Sequence, residues 1–422
     1  YWRIVIPGLW PDLDIPRMMF IFVWLIFLLE ILVGKRRLLP NTASGIAMMV
    51  VIVAFILSMI LASRIAIRQL LNGYVIPFAM FAIAKNVFPD KRTVDKFVLW
   101  FSLPLSFYFT ATAILEHYRV TALIFPRYIG RAMIGEVEVI DYGTRAMGTF
   151  LQPAATGYAI VATYVLSLQA LSQMKSRLAQ LYSLLLTVAA AIGVFFTYTR
   201  SVYVAFLAAM LTLLLMSRRR RVIALVLLIG MGLAVMGNWS NVTGTKRETG
   251  GVGEVSTAKT RLVLAQASML MFFDHPFFGV GFTCFMQKAG PYIGQIRTTL
   301  LGYREAWQGT VTNQHNQLLS ILIEIGLIGF IPFVLLYYFM IRDLARARKR
   351  LGANYDHETL VSVWAILLAY MAVNMFIEPR FYEFMNVLPY MFVGMVTGGL
   401  QRGEIARRNK ADTGNNVLGK EC

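Results

Sequence analysis

Long apolar blocks separated by polar connections run along almost the entire chain. Eleven blocks approach the about 17–25 residues that a helix needs to cross hydrocarbon. They lack the alternation of barrel strands, and only helices and closed barrels satisfy their backbone groups in a bilayer. The pattern predicts an all-α, polytopic transmembrane helical bundle with spans near residues 17–33, 44–62, 73–88, 97–115, 150–172, 180–199, 201–216, 222–238, 316–341, 360–377 and 387–400.

Composition and charge agree with a membrane protein. Hydrophobic residues make up 58% of the chain and the mean hydropathy is +0.62, whereas soluble domains have about 45–50% apolar residues. A net charge of +18 would favour nucleic-acid binding in a soluble protein. Here the basic residues fall in short connections, where they set topology and contact anionic lipid. We therefore expect the lipid bilayer as a partner and no nucleic acid.

Basic clusters occupy every second connection, so the positive-inside rule can place all of them in the cytoplasm. The first residue then lies outside and the last inside, which suggests one further upstream span and about twelve in the full protein. The two long connections, 116–149 and 239–315, face the outside. The clusters are Lys35–Arg37, Lys91–Lys96, Lys175–Arg177, Arg218–Arg221, Arg346–Arg350 and Arg402–Lys410.

The spans divide the chain into four regions. Residues 1–238 hold the N-terminal transmembrane helices, 239–315 a long outer connection with short amphipathic helices, 316–400 the C-terminal transmembrane helices, and 401–422 a cytoplasmic tail. Thr260–Phe273 reads as an apolar helix too short to span, which lies in the interface or folds back onto the bundle. Cys284 and Cys422 fall on opposite sides, so we expect no disulfide.

Four basic residues at the predicted outer face are candidates for chemistry, because ionisable groups near membrane level are costly. His315 could accept a proton from a hydroxyl, and the alternative is a helix cap or an interface histidine. Arg200 could simply snorkel to the interface. With Arg145 and Arg261 it could instead clamp a diphosphate, because guanidinium groups bind phosphate oxygens bidentately.

Acidic residues in two outer connections are weaker candidates for a divalent-metal site, which needs converging oxygen ligands. We therefore predict no metal and no cofactor. These acidic residues are Asp12, Asp14, Glu136, Glu138 and Asp141.

Two further features read as structural. Glu324 lies within the ninth span, and we expect it to pair with a buried partner rather than to do chemistry. The segment DHPFFGVGF, Asp274 to Phe282, reads as a helix stop followed by a tight re-entry turn. His275 in this turn is better explained by structure than by catalysis.

Taken in order, these pieces resemble the O-antigen ligase and O-antigen polymerase superfamily. The resemblance covers about Arg145 to Pro332 and rests on the arginine after TYT, an arginine-bearing helix in the long connection, HPFFGVG and HNQLLSILIEIGLIGFIPF. It implies a GT-C-type glycosyltransferase fold that acts without a metal. By position, His315 matches the family's essential histidine, and Arg200 and Arg261 its essential arginines. Arg145 matches an arginine common before the mid-chain span.

Asn316, Tyr198 and His275 lie within these motifs, and we expect them to support the site.

The resemblance also implies a reaction. A glycan would move from undecaprenyl diphosphate to an acceptor at the periplasmic face of a bacterial inner membrane. His315 would act as general base, the arginines would bind the diphosphate, and direct attack would invert the anomeric centre. A ligase uses a lipid A–core acceptor and is the favoured reading. A polymerase uses a second lipid-linked glycan and is the alternative.

Two readings from other classes stay open. One is a transporter of a lipid-linked sugar or a small anion, which should carry internal repeats and charges near mid-membrane. The other is a non-catalytic assembly partner.

Overall fold

The computed structural model describes residues 3–4, 13–36, 38–63, 66–88, 91–127, 129, 145–174, 176–238, 255–296, 314–349 and 357–418. Thirteen helices longer than ten residues form within these ranges: α1 Ile15–Leu32, α2 Ala43–Leu61, α3 Ile67–Val87, α4 Lys91–His117, α5 Pro153–Ser172, α6 Arg177–Phe196, α7 Arg200–Met216, α8 Arg221–Gly237, α9 Val255–Asp274, α10 Phe285–Gln295, α11 Gln317–Lys349, α12 His357–Asn374 and α13 Glu383–Leu418.

Smaller elements complete the described part. A π-turn at Leu71–Val75 lies inside α3, and short 3-10 turns occupy Thr121–Leu123, Gly148–Phe150 and Pro379–Phe381. Two two-residue strands, β1 Arg3–Ile4 and β2 Leu13–Asp14, pair antiparallel. Everything else that is regular in these ranges is helical.

The eleven predicted spans coincide with α1–α8 and α11–α13, so the all-α prediction is confirmed. Seven helices in the described part are long and apolar enough to cross a membrane by length and composition: α2–α6, α11 and α12. Three more, within α1, α7 and α8, are apolar but shorter. The number of spans and the GT-C-type fold stay predictions.

Two predicted boundaries differ from the structure. The short helix expected at 260–273 begins earlier, as the 20-residue α9, and packs on α10 and α11. The predicted alternative of folding back onto the bundle is thus confirmed. The last span was expected to end at 400, but α13 continues without a break to Leu418.

Small residues set the closest helix contacts. Almost every residue of α5 is buried, and α4, α6, α7, α12 and α13 all pack against it. Gly394 and Gly398 of α13, spaced as GxxxG, lie directly against the carbonyl oxygens of Phe81 and Lys85 in α3. Helix association in lipid depends on such close packing because lipid is as apolar as the side chains. The glycine pair therefore fixes how α3 and α13 pack.

The predicted cytoplasmic connections meet at one end of the bundle, which we call the inner end. Arg402, in α13, donates hydrogen bonds to the carbonyl oxygens of Lys85 at 3.0 Å and Asn86 at 2.9 Å, at the end of α3. Arg36, after α1, also donates to the Asn86 carbonyl at 2.9 Å. Basic side chains near helix C-termini satisfy the carbonyls that the helix leaves unpaired. The opposite end, with the helix ends at His117, Phe196, Arg200 and Gln317, is called the outer end.

One arginine of the 218–221 run does not have the role predicted for it. Arg220 is fully buried, and its Nε donates to Glu358 Oε2 at 2.9 Å while its Nη1 donates to Ser362 Oγ at 2.7 Å. The interpretation of this residue as a lipid-contacting charge is therefore wrong. Its partner comes from the start of α12, so the pair ties the α7–α8 connection to that helix.

The most unusual element is α11, which is interrupted at Gly326 (φ 61°, ψ −167°). The re-entry turn of DHPFFGVGF lies against this interruption. Four backbone hydrogen bonds of 2.8–3.2 Å join them, from Val280 N to Ile323 O, Gly281 N to Glu324 O, Leu327 N to Pro276 O and Ile328 N to Phe277 O. The turn thus supplies the partners that the broken helix needs, since an unpaired backbone group in hydrocarbon is costly.

A third segment closes the junction. Ser58 of α2 donates through Oγ to the Glu324 carbonyl at 2.9 Å and accepts from the Phe282 backbone N–H at 3.0 Å. A Cβ added to Gly279 would meet the Ile323 carbonyl, and one added to Gly326 would meet the Phe277 carbonyl. Only glycine fits where the two backbones approach this closely.

The Glu324 side chain has the buried partner that the sequence predicted. Both of its carboxylate oxygens accept from Arg380, one at 3.0 Å, and Arg380 also lies 2.6 Å from Glu378. All three residues are at most 4% exposed. Removing one partner of such a buried group is strongly destabilising, because the remaining charge has no solvent.

We expect Gly326→Ala to destabilise the protein. The substitution forces a left-handed backbone on a residue with a side chain and pushes Cβ into the Phe277 carbonyl, a cost of roughly 2–4 kcal/mol. Thermal unfolding in detergent should show a clear fall in the melting temperature.

Gly230→Ala in α8 is the matched control, because nothing lies within 4 Å of the position of its added Cβ. Alanine favours helix over glycine by up to about 1 kcal/mol, so this variant should melt no lower than wild type. Equal melting temperatures for both variants would contradict the role given to Gly326.

Candidate active site

His315 lies in a short turn immediately before α11, at the outer end. Its backbone is left-handed (φ +55°) and its side chain is exposed. The residues on either side fix the turn: Gln314 Oε1 accepts from Ser320 Oγ at 3.0 Å, and Asn316 Oδ1 accepts from the Leu319 N–H at 3.0 Å. Asn316 is therefore the helix cap. The cap alternative considered for His315 belongs to its neighbour.

Arg200 is the first residue of α7 rather than the end of the preceding span, since α6 already ends at Phe196. Its side chain is exposed. A cation at a helix N-terminus opposes the helix macrodipole and is disfavoured by about 0.3–1 kcal/mol. Helix stability therefore does not explain an arginine at this position.

Arg261 electrostatically connects Arg200 and His315. Burial and the nearby charge of Arg200 lower the pKa of Arg261, and burial and the nearby charge of Arg261 lower the pKa of His315. The His315 ring is accessible at the surface, yet enough protein surrounds it for desolvation to be the main cause. Arg261 is therefore within electrostatic range of both Arg200 and His315.

The backbone next to Arg145 is also located at the outer end. The Ala146 N–H donates to the carbonyl of Phe196 at 3.0 Å, which ties the segment before α5 to the segment before Arg200. The Nε atom of Arg145 is buried and has no hydrogen-bond partner among the described residues. An unpaired buried donor on a cation is costly unless a ligand satisfies it.

The remaining predicted residues divide between the site and the scaffold. Tyr198 lies between α6 and α7 with a left-handed backbone (φ +41°), and burial raises its pKa. His275 belongs to the re-entry turn, where its N–H donates to Met271 O at 3.1 Å and its carbonyl accepts from the Gly279 N–H at 3.1 Å. His275 follows the last residue of α9 and is fourteen residues from Arg261. At the rise of an α-helix, the two residues are separated by roughly 20 Å along the helix axis. The geometry therefore gives His275 a structural role.

Two residues that the sequence reading overlooked are at the same end. Glu116, in the last turn of α4, accepts from the Gly148 N–H at 2.7 Å. His117 stacks on Phe196 with ring centroids 3.6 Å apart and planes 9° from parallel. Both are ionisable residues at the outer end of the fourth predicted span, so the rule that selected Arg200 could also have selected them.

The cluster can bind an anion and accept a proton. Two helix N-termini, those of α7 and α11, carry Arg200 and His315, and helix N-termini favour negative groups. Arg261 and Arg145 add cationic donors, and bidentate arginines suit phosphate oxygens. The lowered pKa of His315 keeps its imidazole neutral near pH 7, the form that accepts a proton.

The acidic alternative for a metal stays untested. Asp12, Glu136, Glu138 and Asp141 lie outside the described residues, and of Asp14 only the backbone is described. Within the described ranges, no group of three or more His, Cys, Asp and Glu side chains could hold a metal ion.

Comparison with known proteins gave one family. Residues 185–334 match the family model described as O-antigen ligase. The matched range contains Arg200, Arg261 and His315 together with both sides of the Gly326 junction. No curated protein matches the chain significantly.

His315 should titrate below the ordinary histidine value of 6.5, because burial and Arg261 both disfavour its charged form. Removing the cation in Arg261→Gln should raise the His315 pKa, because a nearby positive charge disfavours the protonated ring. Histidine NMR of the labelled protein measures both, with the signal assigned by its loss in His315→Gln.

Arg127→Gln, an exposed arginine in another outer connection, is the control and should leave the titration unchanged. A His315 pKa at or above 6.5 that Arg261→Gln does not move would contradict the electrostatic link.

Proposed function

We propose that this chain, whose match over residues 185–334 supports its place in the O-antigen ligase and O-antigen polymerase superfamily, is a glycosyltransferase that moves a glycan from undecaprenyl diphosphate to an acceptor hydroxyl. The observation that carries the proposal is that Arg261 is within electrostatic range of both Arg200 and His315 at one end of an apolar helical bundle. The favoured acceptor is a lipid A–core oligosaccharide, and the favoured location is the periplasmic face of the inner membrane.

The cationic part of the site suits the donor. Undecaprenyl diphosphate gains negative charge as its bond to the sugar breaks, and fixed cations at that point lower the barrier. Burial and the nearby charge of Arg200 lower the pKa of Arg261, so a dianion close to both guanidinium groups would relieve their repulsion. Arg145 adds the buried Nε that has no partner among the described residues. The arginines thereby do the work that a divalent metal does in many diphosphate-dependent enzymes.

His315 suits the acceptor half of the reaction. The acceptor hydroxyl gives its proton to the neutral imidazole as its oxygen attacks the anomeric carbon. The bond from that carbon to the diphosphate oxygen breaks, and the electron pair leaves with the diphosphate. A single displacement of this kind inverts the anomeric centre. Arg261 supports it by lowering the His315 pKa, so the base is unprotonated at working pH.

The structure favours this chemistry over transport. Transporters use broken helices whose free backbone groups face a cavity and bind the cargo. The break in α11 at Gly326 is instead filled by the re-entry turn and Ser58. The carboxylate of Glu324 is held by Arg380, so neither feature offers a site for a transported ion.

Reconstitution tests the proposal directly. The full chain in liposomes receives a defined undecaprenyl-diphosphate glycan and either lipid A–core or a second lipid-linked glycan as acceptor. We expect product on lipid A–core; product only on the second glycan would identify a polymerase. A chelator should leave the rate unchanged, and loss of activity would instead favour the acidic metal site. Absence of product on either acceptor, with glycan transport intact, would overturn the enzyme proposal.

Site variants in this assay assign roles. His315→Ala should lower kcat by about 10²–10⁴-fold, the usual contribution of a general base. Arg200→Ala and Arg261→Ala should each lower kcat/KM by about 10–100-fold, because each loses a charge-assisted contact of roughly 1.5–3 kcal/mol.

His357→Ala and Arg127→Ala are the matched controls. His357 is at the inner end beside Glu358, and Arg127 is exposed in another outer connection, so both variants should keep wild-type rates. Full activity of His315→Ala would show that the base has been assigned to the wrong residue.

A further inference from the structure

The segment that carries Arg145 is tied down at three points. The Ala146 N–H donates to Phe196 O of α6 at 3.0 Å, and the Met147 carbonyl accepts from the Thr156 hydroxyl of α5. The third point is the Gly148 N–H, which donates to a carboxylate oxygen of Glu116 in α4 at 2.7 Å. Helices α6, α5 and α4 thus each form a hydrogen bond with one of the three consecutive residues 146–148.

The backbone at this segment has little freedom. Gly148 has φ +58°, and a Cβ added to it would collide with Thr156. Leu151 is also left-handed (φ 53°), and the Gln152 N–H returns to the Met147 carbonyl at 3.0 Å. Strained backbone of this kind persists only where the surrounding contacts determine it. The Glu116 contact is the one of the three made by an ionisable side chain.

Arg145 is the side chain whose position this segment sets. Its Nε is buried with no hydrogen-bond partner among the described residues. The guanidinium of Arg145 therefore lacks a hydrogen bond at Nε among the described residues. Arg145 lies three residues before Gly148, whose N–H is bound by Glu116. A ligand oxygen at this point would satisfy Nε and gain a charge-assisted hydrogen bond.

We infer that Glu116 is a positioning residue for anion binding: its carboxylate fixes the Gly148 N–H and thereby holds Arg145 where its guanidinium can bind the donor diphosphate. The inference rests on the proposed function. Glu116 acts through its acceptor oxygen and not through proton transfer. An amide in its place keeps the acceptor, whereas a shorter carboxylate keeps the charge but loses the reach.

The experiment measures binding of undecaprenyl diphosphate, without glycan or acceptor, to the purified full chain in detergent. Arg145→Ala should weaken binding about 10-fold, the loss of one charge-assisted contact. Glu116→Ala and Glu116→Asp should weaken it several-fold, up to about 10-fold. Glu116→Gln should bind within about twofold of wild type. Arg127→Ala, which removes an exposed cation from another part of the connection, should not change binding.

The double variant Glu116→Ala/Arg145→Ala decides between the roles. If Glu116 works through Arg145, the double variant binds no more weakly than Arg145→Ala alone, because coupled residues are not additive. In the transfer assay, Glu116→Ala should raise the donor KM more than it lowers kcat.

Three results would overturn the inference. The first is that Glu116→Ala and Glu116→Asp bind undecaprenyl diphosphate as tightly as wild type. The second is that the double variant loses as much binding free energy as the two single variants together. The third is that Glu116→Asp binds as wild type while Glu116→Gln does not. Size-exclusion profiles confirm folding, and if Glu116→Ala does not fold, the Asp and Gln pair decides. Failure of wild type itself to bind undecaprenyl diphosphate would reject the proposed donor instead, and the inference with it.

Discussion

The backbone hydrogen bonds across the interruption of α11 are the interaction on which the rest of the outer end depends. A helix that breaks inside an apolar bundle leaves N–H and C=O groups that neither lipid nor apolar side chains can satisfy. Here the re-entry turn at 276–281 satisfies them with four bonds of 2.8–3.2 Å. Ser58 donates one more to the Glu324 carbonyl and accepts one from the Phe282 N–H beside the turn. The break and the turn therefore require each other, and two glycines let their backbones touch.

This junction connects the scaffold to the chemistry. The turn follows α9 directly, so docking it on α11 also fixes the helix that carries Arg261. The turn immediately before α11 carries His315. One backbone contact thus sets the position of a cation relative to a base, and the effect of Arg261 on the His315 pKa reports their proximity. Buried Glu324 and Arg380 hold the same stretch of α11 from the other side.

The outer end departs from local preferences in the way functional sites do. Arg200 opens a helix against its dipole, and His315 and Tyr198 have left-handed backbones. The buried Nε of Arg145 has no hydrogen-bond partner in the part of the chain that the structure describes. None of these features stabilises the free protein. A dianion would bind the cations and satisfy the donor, so these features are consistent with one kind of ligand.

Sequence periodicity was enough to locate the helices, because a span needs a long apolar block whatever its neighbours are. The sequence also singled out Arg200, Arg261 and His315 as candidates, since ionisable residues near membrane level are costly. It could not find the break at Gly326, because LLSILIEIGLIGFIPF reads as one continuous span. The pairing of Arg220 with Glu358, and of Glu324 with Arg380, joins residues 138 and 56 positions apart. Glu116 was overlooked although it is an ionisable residue near membrane level. Only its pairing with the Gly148 N–H leaves no pattern in the sequence.

The most direct test of this account is a cryo-electron microscopy structure of the full chain in lipid nanodiscs with undecaprenyl diphosphate. We expect the diphosphate to contact the guanidinium groups of Arg200 and Arg261 beside the His315 ring. We also expect α11 to be interrupted at Gly326, with the re-entry turn hydrogen-bonded across the gap. A continuous α11, or a diphosphate bound away from these three side chains, would contradict this account.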